Sequence, residues 1–222
     1  MINIDLLEFS YGIDSFKLTI PVLKIEKAEK VAIIGPSGSG KTSLLKLISG
    51  ILLPEKGKIS IDNVVINQFS DSERRDYRIS NIGFIFQDFE LLDYLDTQDN
   101  ILHPYRITRA LKLNSSVRSR VNSLTRELGI EHKLNCLTNT LSQGEKQRTA
   151  ICRAMLPKPK LILADEATGN LDPQNKTKIL DVLFRSIDKN DATLIAVTHD
   201  HELLSRFDRV IDFNDYCLQN VA

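Results

Sequence analysis

Three observations predict an α/β fold with a mostly parallel sheet. Short apolar runs that read as buried strands alternate with helical stretches, a glycine-rich turn joins one such run to a helix, and other apolar runs stop at polar residues suited to a ligand. The organising stretch is Ile33 to Thr42, I-I-G-P-S-G-S-G-K-T. It matches G-x-x-x-x-G-K-[ST], a strand-to-helix turn whose backbone N–H groups converge on phosphate. Gly35, Gly38 and Gly40 permit the backbone this requires, with Pro36, Ser37 and Ser39 between them. Lys41 is expected to add a mobile positive charge. Thr42 places a hydroxyl where a Mg²⁺ bridging the β- and γ-phosphates needs one, and Ser43 completes the cradle. Val31 to Ile34 supplies the strand before the turn, and Leu44, Leu45 and Ile48 mark a helix from Lys41 to Ser49 whose positive dipole end faces the same point. The ligand predicted is a nucleoside triphosphate.

Composition bounds the rest. At 222 residues, 42% hydrophobic and 26% charged, the chain can bury one sizeable core and a smaller subdomain. The 29 basic residues balance 29 acidic ones, so no global field draws nucleic acid or a membrane surface, and any such association must run through a specific partner. No apolar stretch approaches the roughly 18 residues that span a bilayer, and M-I-N-I-D-L-L-E lacks the basic start and apolar run of a signal peptide, so a soluble, cytoplasmic protein is expected. Cys136, Cys152 and Cys217 are dispersed and odd in number, and read as packing residues. His103, His132 and His201 fall in no metal-ligand spacing and read as surface or loop residues.

Ile2 to Phe9 and Phe16 to Ile25 alternate with period two around a turn at Tyr11 and Gly12, predicting antiparallel strands ahead of the cradle. Tyr11 suits either stacking on a nucleobase or a plain exposed turn. Pro54 to Gly57 is expected to break the chain, and Lys58 to Ile61 with Val64 to Ile66 to form a hairpin around Asp62 and Asn63. Asp71 to Arg78 reads as a charged, solvated helix, and Ile82 to Phe86 as a buried strand ending on Gln87. From Phe89 to Leu141 the pattern turns helical. Val117, Val121, Leu124 and Leu128 fall on one face, with Ser115 or Ser116 as cap and Gly129 as stop, which predicts a helical subdomain inserted at about 88–157. Its last helix follows Ser142 and Gly144, buries Ala150, Ile151, Ala154 and Met155, and ends at Pro157 and Pro159. Leu161 to Ala164 is the next core strand. Asp172 then caps a helix begun by Pro173, with Ile179, Leu180, Leu183, Phe184 and Ile187 inward. Thr193 to Val197 and Val210 to Phe213 are the last strands.

The polar residues at these strand ends carry the chemistry. Asp165 stands where a carboxylate coordinates the nucleotide's Mg²⁺, and Glu166 beside it is a candidate base for the attacking water, although two acids after a strand also make an ordinary turn. Gln87 offers an amide to metal and water, and His199 a ring nitrogen to the γ-phosphate. Phosphoryl transfer asks for little more than positioning and charge neutralisation.

These motifs, together with L-S-Q-G-E-K-Q-R from Leu141 to Arg148, L-I-L-A-D-E from Leu161 to Glu166, G-N-L-D from Gly169 to Asp172 and T-H-D around His199, resemble the ATP-binding subunit of an ABC transporter across nearly the whole chain. The resemblance implies a P-loop NTPase (RecA-like) core with an N-terminal antiparallel β subdomain and the helical insert. It also implies ATP and Mg²⁺ as cofactors, and a head-to-tail dimer that sandwiches two ATPs between the cradle of one copy and the signature helix of the other. Ser142, Gln143, Gly144 and Glu145 would form that second anion site, at a helix start. By the same resemblance Tyr11 stacks on adenine, Gln87 links to a membrane permease, Glu166 is the general base, His199 senses the γ-phosphate and Asp172 reaches across the dimer.

Three positions depart from the commonest pattern. The signature reads S-Q-G-E rather than S-G-G-Q, so Glu145 brings a carboxylate near a phosphate site, which weakens closure unless it turns outward. Ala167 stands where proline is frequent. L-A-D-E-A-T-G-N-L-D and G-F-I-F-Q-D-F-E-L-L resemble the branch that powers lipoprotein release and macrolide-type export, with the permease docking near Phe89 to Tyr94. A cell-division ATPase, a non-transport ABC clamp in translation or DNA repair, and a P-loop kinase are the competing readings. The kinase has no use for L-S-Q-G-E or His199.

Overall fold

In the computed structural model, residues 1–12, 16–167 and 173–216 are described. Period-two alternation folds Ile2–Ser10 (β1) and Lys17–Ile25 (β2) into an antiparallel pair, Ile2 opposite Ile25 and Ser10 opposite Lys17. Lys30–Ile34 (β3) enters the cradle. Lys56–Ile61 (β4) pairs with the other edge of β1, and turns through Asp62 and Asn63, both at positive φ, into Val64–Val65 (β5). Two consecutive left-handed residues are what a tight hairpin requires. The first sheet therefore runs β2-β1-β4-β5.

The expected break at Pro54 to Gly57 is corrected, because β4 already begins at Lys56. Gly57 sits at φ 90°, where β1 shifts register between Asp5 and Glu8, and an added Cβ would fall 2.5 Å from the Leu6 carbonyl oxygen. The glycine thus admits a bulge rather than ending the strand. Gly57→Ala is expected to cost about 2–4 kcal/mol of unfolding free energy in urea titration, since both backbone strain and a backbone clash must be relieved.

The second sheet is all parallel. Ile82–Ile85 (β6), Leu161–Asp165 (β7), Thr193–Val197 (β8) and Arg209–Asp212 (β9) join β3 in the order β6-β7-β8-β3-β9. Strands covered on both faces read as continuous apolar runs, which is why β6, β7 and β8 were visible. β6 ends one residue early, and Phe86 instead stacks on Phe84 with ring centroids 4.0 Å apart.

The helices are Lys41–Ile48 (α1), Asp71–Asn81 (α2), Thr97–Ile107 (α3), Ser115–Glu127 (α4), Gln143–Met155 (α5) and Pro173–Lys189 (α6). α2 buries none of its residues, in keeping with its charge, and is started by a Ser70–Glu73 capping box. The cap of α4 is Asn114, not Ser115 or Ser116. Its Oδ1 accepts from the Val117 N–H at 3.1 Å and the Ser116 hydroxyl at 2.8 Å, and an amide one residue earlier wins the cap. His103 is half-buried on α3 rather than in a loop.

Two cores flank the parallel sheet. On one face Val31, Ile33, Phe84 and Leu163 meet α1 and the antiparallel sheet. On the other, Ile162, Ala164, Leu194 and Ala196 meet α3, α4, α5 and α6, with Leu180, Leu183, Phe184 and Ile187 of α6 buried as expected. Cys152 is buried there and Cys136 is half-buried. Asp172, Cys217 and the side chain of Ile179 lie outside what is described.

Candidate nucleotide-binding site

The cradle grows out of the carboxyl end of β3. Gly40 caps α1 at φ 97°, leaving the first N–H groups of the helix directed into the turn. Lys41 is not mobile as expected. Its side chain is buried, and Nζ donates to the carbonyl oxygens of Gly35 at 2.8 Å and Pro36 at 2.7 Å, so the cation is held across its own loop. Phosphate oxygens would replace neutral acceptors with charged ones, a favourable exchange. Ser39 is buried within the loop, and Ser37, Gly38, Thr42 and Ser43 face the cleft.

Asp165 ends β7 only 4% exposed. Burial pushes its carboxyl above the ordinary value and the neighbouring Glu166 adds to this, while a hydrogen bond with the Thr42 side chain and the charges of Lys46 and Lys41 oppose it. A buried carboxylate beside a hydroxyl is an oxygen donor set that suits Mg²⁺, whose charge would favour the ionised form. Among the described residues no cluster of three or more His, Cys, Asp or Glu side chains forms a metal site of another kind.

Three strand ends converge next to it. Glu166, after β7, adopts a left-handed conformation at φ 48°, with its N–H donating to the Val197 carbonyl at 3.1 Å. Its carboxylate lies 3.0 Å from His199 Nε2, beyond β8, and accepts from Gln87 Nε2, beyond β6, at 3.4 Å. Gln87, Glu166 and His199, scattered in sequence, thus line with the cradle one cleft of about 380 Å³. Ala167 is buried behind them.

Two aromatic residues also line the cleft. Tyr11 is 59% exposed. Its hydroxyl pairs with Ser43 Oγ at 2.9 Å and its ring meets Phe9 edge-on at 4.9 Å. Phe16, which sequence reasoning missed, lies against the cradle so closely that a Cβ on Gly40 would fall 2.4 Å from its ring. Its only signal was an aromatic side chain opening the strand after the Tyr11 turn.

Ser142, Gln143, Gly144 and Glu145 do not line this cleft. They start α5, where Ser142 and Glu145 form a reciprocal capping box. Glu145 Oε2 accepts from the Ser142 N–H at 2.8 Å and hydroxyl at 2.9 Å, and Oε1 lies 3.2 Å from Lys133 Nζ. The carboxylate is folded back onto its own helix start, not turned outward. Burial alone would raise its pKa, but the hydrogen bonds from Ser142 and Lys133 hold it below the ordinary value. Gln143 and Lys146 instead border a second groove of about 520 Å³ with Asp88, Glu90, Leu91 and Asp93. Arg153, further along α5, donates to the carbonyl oxygens of Phe89 and Glu90, a turn at positive φ, and burial lowers its pKa to about 10. One guanidinium therefore ties the signature helix to the groove wall, a link that no spacing in the sequence disclosed.

The glycine-rich cradle, the strand-end trio and the separately placed signature helix define a P-loop ATPase of the cassette type, and known proteins agree. The sequence profile of the family described as ABC transporter matches residues 19–169. An uncharacterized ABC transporter ATP-binding protein, YvcR of Bacillus subtilis (strain 168), is 39% identical over 193 residues, 87% of this chain and 74% of that protein. The lipoprotein-releasing system ATP-binding protein LolD of Desulfotalea psychrophila is 36% identical over 205 residues, 90% and 91% of the two chains. The macrolide export ATP-binding/permease protein MacB of Rhodopirellula baltica is 37% identical over 202 residues, 88% of this chain but 29% of the longer one. Among solved structures, the dimeric bacterial ABC transporter cassette MJ0796 superposes with a TM-score of 0.87 at 32% identity, covering 96% of this chain and 94% of that one, and it is also known in a post-hydrolysis dimer bound to ADP and Pi. This chain belongs to the ABC transporter family and is its ATP-binding subunit, an ATPase. Among the described residues no helix is long and apolar enough to cross a membrane.

Proposed function

We propose that the chain, as one ATPase domain of residues 1–222 with a helical insert at about 88–157, hydrolyses Mg²⁺-bound ATP as a head-to-tail dimer and powers a membrane permease of the lipoprotein-release or macrolide-export type. The observation that carries this reading is the meeting of Gln87, Glu166 and His199 over the cradle, with Ser142 to Glu145 outside the cleft. A cleft with base, sensor and cradle but no signature residue is half a site, and a second copy supplies the rest. The dimeric relative MJ0796 supports that assembly.

In this scheme Thr42, Asp165 and Gln87 would hold Mg²⁺, which would supply charge neutralisation at the phosphates. Gly35 to Ser43 wrap the phosphates, Tyr11 takes the adenine face, and the partner copy's signature closes on the γ-phosphate. His199 shifts from Glu166 towards the γ-phosphate, freeing the Glu166 carboxylate to take a proton from the attacking water. Gln87 passes the nucleotide state to the groove beside it. The permease loop docks in that groove, whose Asp88, Glu90 and Asp93 rim favours a basic partner around the apolar Leu91. The chain then sits at the cytoplasmic face of the membrane through its permease.

Two measurements test this. Turnover per chain is expected to rise with protein concentration in the absence of any phosphoryl acceptor, whereas acceptor-dependent transfer would make it a kinase. Leu91→Glu is expected to abolish stimulation by the permease and co-purification with it, while leaving unstimulated turnover within about twofold, because the side chain lines the second groove and not the nucleotide cleft. Intact stimulation would place the docking site elsewhere.

A further inference from the structure

Lys133 sits in the short turn Glu131–Lys133 between α4 and α5, and neither nucleotide chemistry nor the core explains it. Its ammonium lies 3.2 Å from Glu145 Oε1, with the two side chains 31% and 15% exposed. Glu145 Oε2 is occupied by the N–H and hydroxyl of Ser142 at 2.8 and 2.9 Å. Both carboxylate oxygens are thus engaged, and the Ser142 hydroxyl proton is committed to a carboxylate rather than left available to an incoming phosphate.

This arrangement poses two problems for a dimer that closes on ATP. A γ-phosphate arriving at Ser142 and Gly144 meets the negative charge of Glu145 on the same turn of helix, in a place that closure dries and so makes electrostatically stiff. The Ser142 hydroxyl must also leave Glu145 to donate to phosphate, which strips the carboxylate of a hydrogen bond as it is being buried. A cation already seated on the other carboxylate oxygen answers both. It cancels the charge and remains a partner when the serine turns away.

We infer that Lys133 is a positioning residue for the signature: through Glu145 it makes an S-Q-G-E sequence compatible with a partner's triphosphate and releases Ser142 to bind it. The inference rests on the head-to-tail reading above. It also predicts a dependence between two residues that a merely structural lysine would not have. Glutamine closes the same capping box without the charge, so Glu145→Gln removes the need for Lys133.

The test is a double-mutant cycle in the hydrolysis-blocked Glu166→Gln chain, following ATP-induced dimerisation by analytical ultracentrifugation at low salt. Lys133→Met is expected to raise the protein concentration at half-dimerisation about fivefold to tenfold, and to leave ATP binding by the monomer unchanged, since Lys133 does not line its own cleft. In the Glu145→Gln background the same Lys133→Met change is expected to have no effect, and added salt is expected to narrow the difference seen with Glu145. Equal effects in both backgrounds, or none in either, would overturn the role assigned to Lys133. If the parent chain dimerises with ATP and the Lys133→Met form matches it, the inference alone falls. If the parent stays monomeric with ATP, the dimer reading falls and takes the inference with it.

Discussion

Glu166→Gln is expected to lower ATP hydrolysis by at least about a hundredfold, the usual contribution of a positioned general base, while ATP binding survives and a stable ATP-loaded dimer accumulates. The geometry explains why the two effects separate. The side-chain partners of Glu166 stand at the neighbouring strand ends rather than in the glycine-rich turn. Its carboxylate is engaged by His199 at 3.0 Å and Gln87 at 3.4 Å, and its left-handed backbone is fixed by the Val197 carbonyl rather than by its side chain. An amide of the same shape keeps one oxygen to accept from Gln87, can turn its N–H towards an unprotonated His199 Nε2, and cannot accept a proton from water. The γ-phosphate contacts that hydrolysis would remove then stay in place, so the dimer persists. Phosphate release under single-turnover conditions, read beside size-exclusion chromatography with ATP, checks both halves. Undiminished hydrolysis would remove Glu166 from the role of base and leave His199 as the candidate.

The alternation of apolar runs made the parallel sheet legible because β6, β7 and β8 are covered on both faces and had to be apolar throughout. The cradle was legible because its chemistry is contiguous in sequence: strand, glycines, lysine and threonine fall within ten residues. Gln87, Glu166 and His199 were legible one at a time as polar ends of apolar strands. That they share one carboxylate is a consequence of strand order, which no local pattern carries. What stayed hidden has the same cause. Phe16 against Gly40, Lys133 on Glu145 and Arg153 on Phe89 and Glu90 are contacts between elements, and each joins an unremarkable side chain to a partner placed by tertiary packing. The misplaced cap of α4 is different in kind. Asn114, Ser115 and Ser116 are all good capping residues in a row, and only the backbone decides among them.

Lys41→Met carries the second large effect, and it acts on the chain before any partner arrives. The side chain is buried, and its ammonium joins the Gly35 and Pro36 carbonyl oxygens at 2.8 and 2.7 Å. Methionine is close in length and fills the same space, so packing is largely kept, but both hydrogen bonds and the charge go. Without nucleotide the loss is modest, about 1–2 kcal/mol of stability, because the two freed carbonyls lie beside an open cleft where water can reach them. With ATP the loss is greater. Charge-assisted bonds to phosphate contribute about twice what neutral ones do, so affinity is expected to fall about thirtyfold to a hundredfold. Ligand binding stabilises a folded chain by roughly 2.7 kcal/mol at a hundred times Kd, so the wild-type thermal midpoint should climb with ATP while that of the variant scarcely moves at the same concentration. A variant whose midpoint rose as far as the wild type's would mean that the N–H groups at the start of α1 hold the phosphates unaided, and that the lysine serves chiefly to brace the empty loop.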